Sequence, residues 1–150
     1  MTRRSSVNRK PFSASLAILG SLTAAALGLP YVTYAFGPTE AEVADWGQIT
    51  FYIGLGLAIL AVVGRRLGYG FMRVLLAIGM SALALMQLPP ALLWFVFHNS
   101  GISDGTPPSA FVAHWAYALP HIAVAALCLA AVYQLLNAPS RRPGSSSHTK

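Results

Sequence analysis

The stretch VLLAIGMSALALMQLPPALLWFVF, residues 74–97, runs for 24 residues without a charge. A helix needs roughly 20 apolar residues to cross a hydrocarbon core, and that length exceeds what an ordinary buried core helix uses. Three further runs meet the same criterion, so the chain is expected to be an all-α integral membrane protein, a four-helix bundle with spans at about 12–35, 40–64, 71–97 and 110–136. The first of them ends its apolar part near Leu29 and continues as an interfacial PYVTYAF. Only 9% of the 150 residues are charged and 55% are hydrophobic, outside the usual range of soluble domains. A basic tail at 1–11 precedes the spans, a polar tail at 138–150 follows them, and no room remains for a soluble domain.

Charge placement supports the same topology independently. All ten basic residues fall in the first tail, in the connection between the second and third spans (Arg65, Arg66, Arg73), or in the last tail. The four acids, Glu40, Glu42, Asp45 and Asp104, lie in or beside the other two connections. By the positive-inside rule both termini are expected in the cytoplasm. The formal net charge of +6 is spread over tails and a short turn without a folded platform, which argues against nucleic acid and for anionic lipid headgroups of the bilayer. A basic start before an apolar run also describes a secretory signal. Here the run is longer than a signal core of about 7–15 residues, and the best small-x-small site, Thr33-Tyr34-Ala35, is poor, so a retained anchor is expected.

Lipid tails give helices no hydrophobic reason to meet, so close packing is expected where small residues recur: Gly20, Ala24 and Gly28 in the first span, Gly54 and Gly56 in the second. Pro89-Pro90 and Pro120 are expected to kink the third and fourth spans, because each ring removes a helical hydrogen bond. Thr39-x-x-Glu42 is a capping-box pattern before the second helix, and Ser109 is a plausible N-cap for the fourth. Trp46, Trp94 and Trp115 mark the external ends of three spans as an aromatic belt. The lone Cys128 lies inside the fourth span and implies neither a disulfide framework nor a metal site.

Polar side chains at depth are expected to turn inward, where donors and acceptors can be paired. Spacings of three and four put Asp45, Gln48 and Tyr52 on one side of the second helix. Gln87, Trp94 and His98 align on the third, and His114, Tyr117 and His121 on the fourth. At about 1.5 Å of rise per residue, His98 and His114 share an external depth, while Gln87 and His121 share a deeper one near the midplane. These stripes describe a polar cavity open to the external side, narrowing at Gln87 and His121, with Asp45, His98 and His114 at its mouth. The competing reading is that His121 bonds Gln87 or a proline-freed carbonyl and only specifies helix packing.

Chemically, a proton or quinone site needs one titratable imidazole at depth with an aromatic lining, and His121 with Tyr117 and Gln87 meets that requirement. Haem would have His98 and His114 as its only axial pair, beside a surface loop. Zinc or copper would have to gather His98, His114 and Asp45, with no spacing signature to support it. No serine, cysteine or paired-carboxylate catalytic constellation is present, so an enzyme is not the favoured class.

DWGQITFYIGLGLAIL and WFVFH resemble the opening of the second span and the close of the third in the DoxX-like group of small four-span bacterial membrane proteins. The resemblance covers about half the chain. It implies a protein of the bacterial cytoplasmic membrane and, from a few members, a membrane partner of sulfur or redox enzymes that exchange electrons with quinone. Asp45 and His98 are the positions that match, and the histidines of the fourth span depart from the pattern. The expectation is an accessory or ligand-binding subunit, with a membrane enzyme complex as its partner; the alternatives are a homo-oligomeric transport or proton-conducting unit and an assembly scaffold without ligand.

Overall fold

The structure is a computed structural model that describes residues 12–33, 41–92 and 108–137, with 41–44 and 108–117 described as helical backbone alone. The described residues are helical, with no strand: α1 Ser15–Val32, α2 Ala41–Leu67, α3 Gly70–Met86 and α4 Pro108–Asn137. Counting 88–92, which resumes the third helix after a turn, each is long and apolar enough to cross a membrane.

Inside the expected first span, α1 runs through Pro30 to Val32, because a proline inside an apolar helix costs one hydrogen bond and neighbouring structure absorbs it. α4 starts at Pro108, which places Ser109 inside the helix and not at its N-cap; proline suits a first turn whose N–H groups have no helical acceptor. The Thr39-x-x-Glu42 pattern lies outside the described side chains.

The double proline breaks its helix outright. Pro89 and Pro90 cannot donate to the carbonyls of Leu85 and Met86, and the chain turns at Gln87, whose N–H reaches back to the Ala84 and Leu85 carbonyls. Helical bonding restarts from the Gln87 carbonyl, which accepts from the Ala91 N–H at 3.2 Å. At Pro120 the helix α4 runs on without interruption.

The helices form a ring in chain order. α1 packs most extensively on α2, α2 on α3, α3 on α4, and α4 back on α1; among the described residues α1 barely touches α3, and α2 and α4 do not meet. Methyl groups added to glycines expose the closest approaches. One on Gly54 would lie 2.7 Å from the Ser21 carbonyl oxygen, and one on Gly28 would lie 2.5 Å from the Gly47 carbonyl oxygen. Gly20 faces Met80 and Leu127 instead, so the Gly20-Ala24-Gly28 line serves two interfaces at once. Gly56 departs from expectation: it is exposed, with open space around it. Gly47, Gly64 and Gly79, against Tyr31, Met72 and Leu57, do the thinning that was expected of it.

The core is built from small and flexible side chains, among them Ala17, Ala24, Ala61, Leu76, Met80, Leu83, Val124, Cys128 and Leu135. Across its centre the Ser21 hydroxyl donates to the Met80 sulfur at 3.3 Å. At one end the Gln134 amide of α4 reaches α1: its Oε1 accepts from the Leu16 N–H at 3.2 Å and its Nε2 donates to the Ser15 hydroxyl at 3.3 Å. A helix start leaves N–H groups unpaired, and Ala14 offers no side-chain cap, so α4 supplies what α1 lacks. The start of α1 and the end of α4 therefore emerge at the same end of the bundle. The α2–α3 turn is there too, since Gly64 sits against both Met72 and Phe12.

Candidate functional site

The third-helix break and the middle of α4 meet through one side-chain pair. His121 Nδ1 lies 2.8 Å from Gln87 Oε1. An amide oxygen only accepts, so the imidazole nitrogen facing it carries the proton, and in the neutral ring Nε2 is left as an acceptor. His121 is half-buried and Gln87 is wholly buried.

Gln87 is only partly satisfied. Its Nε2 is buried and has no hydrogen-bond partner among the described residues. Turning the amide over would exchange its two atoms and still leave one without a partner. A buried amide donor left unpaired costs about 1–3 kcal/mol.

Helix register shows what shares the level of this pair. Gly79 against Leu57 and Gly64 against Met72 fix α3 on α2, while Gly20 against Leu127 and Leu16 against Gln134 fix α1 on α4. Counting along these antiparallel pairs places Gln87 and His121 level with Gly28 of α1 and Thr50 of α2. Thr50 is buried, and its hydroxyl donates to the Trp46 carbonyl at 2.9 Å, which leaves its oxygen free to accept. Thr50 was not singled out in the sequence; its signal is its place on the line Gly47, Thr50, Gly54, Leu57, Ala61, the buried side of α2.

The predicted stripe of α2 lies elsewhere. Asp45 and Tyr52 are exposed, Tyr52 by 60%, and Gln48 is half-buried, so this face turns towards the outside of the bundle. The physical reason is the close seating of α2 on α1. Gly47 and Gly54 must face Tyr31, Ser21 and Ala25, and that rotation carries Asp45 and Tyr52 outward. The structure therefore brings Gln87 and His121 together, and does not bring Asp45, Gln48 or Tyr52 to them. His98, Trp94 and Asp104 lie outside the described residues, as do the side chains of His114, Trp115 and Tyr117. Trp46, at the start of the second span, is half-buried, and its indole Nε1 is buried with no partner among the described residues.

Cys128 is a free, fully buried thiol. Among the described residues no three His, Cys, Asp or Glu side chains converge as metal ligands. No protein-family model, curated protein or solved structure matches this chain.

Proposed function

We propose that this multi-pass protein is an accessory, ligand-binding subunit of the bacterial cytoplasmic membrane, with both termini inside and a polar site at Gln87 and His121 that opens towards the external side. The observation that carries the reading is the wholly buried Gln87 amide, held by His121 and left with one unpartnered donor. A ligand carbonyl beside Gln87 would accept from Nε2–H, and a ligand hydroxyl would donate to the free ring nitrogen of His121. A quinone and its quinol offer those two groups on an apolar ring, which agrees with the redox association implied by the DoxX-like resemblance. His114, His98 and Tyr117 belong to the external part of the same site in this reading.

The test is binding of a short-chain ubiquinone to the detergent-purified protein, followed by tryptophan fluorescence. Saturable quenching is expected for the wild type, with affinity at least tenfold weaker in Gln87→Leu and in His121→Ala. Equal affinity in all three proteins, each with a wild-type melting temperature, overturns the proposal and leaves the scaffold reading.

A further inference from the structure

The α2–α3 turn, residues 65–73 with the sequence RRLGYGFMR, concentrates three arginines at one corner of the bundle with no acid to answer them. Arg65 and Arg66 are exposed and Arg73 is half-buried. By sequence position the four acids of the chain all fall in or beside the other two connections. Asp45 is on the same helix as Arg65 but twenty residues earlier, about 30 Å away at 1.5 Å per residue. By sequence, Glu40 and Glu42 precede Asp45, and Asp104 falls in the connection between α3 and α4.

Helix dipoles do not neutralise the corner. The C-terminus of α2 brings about half a negative charge and the N-terminus of α3 about half a positive one, so the two offset each other and leave three cations. The first turn of α3 has no acidic residue, and its N-cap Tyr69 makes no side-chain cap bond, although the Met72 N–H is already taken by the Tyr69 carbonyl at 3.1 Å.

The corner is also fixed and placed. Gly68 adopts φ 67°, a left-handed conformation that glycine takes without strain, and the chain reverses in two residues. Gly64 and Met72 close the pair beneath it. The rings of Tyr69 and Phe71 lie 5.8 Å apart at 30°, and Phe71 is 57% exposed. Tyr69 is half-buried, and aromatic rings beside arginines at the end of an apolar span sit at headgroup level, where the phosphates are. The seven remaining cations all belong to the tails joined to this end of the bundle.

We propose that the α2–α3 turn is a binding site for the phosphate of an anionic phospholipid headgroup, held by Arg65, Arg66 and Arg73, with Tyr69 and Phe71 against the glycerol and upper acyl region. Guanidinium groups present paired N–H donors that match phosphate oxygens, and they remain charged at any physiological pH. The site rests on the membrane-spanning reading and is separate from the Gln87–His121 pair, so the two stand or fall independently.

The experiment is native mass spectrometry of the full chain, released from detergent micelles doped with equal amounts of phosphatidylglycerol and phosphatidylcholine. Preferential retention of phosphatidylglycerol is expected. It should fall about tenfold in R65Q/R66Q/R73Q and persist in R141Q/R142Q, which removes tail charge only. The conservative R65K/R66K/R73K should retain an intermediate preference, and it keeps the test open if the glutamine variant melts early. Equal retention of the two lipids, or a preference unchanged by the glutamine substitutions at the turn, overturns the proposal. Displacement of the lipid by millimolar inorganic phosphate also overturns it, by making the site one for a soluble anion.

Discussion

Leucine and alanine at position 87 separate two costs that the native glutamine combines. Leucine removes both the bond to His121 and the unpaired donor while keeping most of the volume; alanine removes the same groups and leaves a cavity. Side-chain hydrogen bonds between membrane helices average about 0.6 kcal/mol, and an unpaired buried donor costs about 1–3 kcal/mol, so the two effects of leucine oppose each other. In ligand-free detergent Gln87→Leu is expected to lie within about 1 kcal/mol of the wild type, whereas Gln87→Ala should lose about 2–4 kcal/mol through its cavity. Reversible unfolding in mixed micelles measures both. A large loss in the leucine variant would mean that the amide is fully used within the fold. The pairing of Gln87 with His121 was legible in the sequence because equal depth on two adjacent helices follows from rise per residue alone. The unpartnered Nε2 was not, since it depends on what surrounds the amide on every side.

At the level of single helices, rotation about the helix axis decides which residues count as interior. Polar spacing suggested that Asp45, Gln48 and Tyr52 point inward, yet the α1–α2 seam overrides it. Close backbone approach gains dispersion contact along a whole seam, which outweighs turning one polar stripe inward. Glycine identity alone did not distinguish Gly54 from Gly56, because two residues along a helix point to different sides. Their alanine variants should therefore differ in sign. Gly54→Ala forces α1 and α2 apart and is expected to destabilise by about 1–3 kcal/mol. Gly56→Ala meets nothing and should be neutral or stabilising by up to about 1 kcal/mol, through reduced backbone freedom. Unfolding midpoints of the pair check this directly, and equal losses would contradict the seating of α2 on α1.

For the molecule as a whole, the four spans and the grouping of cations were readable from hydropathy and charge. Their arrangement as a ring in chain order came from packing between particular residues, such as Leu57 with Gly79, that no single-helix pattern contains. The Gln134 contact with Ser15 and Leu16 ties the first and last helices at one end. Single cysteines at Asn8→Cys and Ser145→Cys should consequently behave alike in intact bacterial cells, both protected from a membrane-impermeant maleimide, while Ser103→Cys is labelled. Cys128, wholly buried, does not compete for the reagent. Labelling of one tail but not the other would be incompatible with an even number of spans.

The two-residue link between α2 and α3 bears on how the protein is made. The entropy lost in closing a loop grows with the logarithm of its length, so this hairpin closes at the least cost, ahead of the longer connections that precede α2 and follow α3. Synthesis from the N-terminus also delivers α4 last. A nascent chain halted before α4 carries Gln87 without its histidine partner, and arrival of the final helix is the step that completes the polar pair.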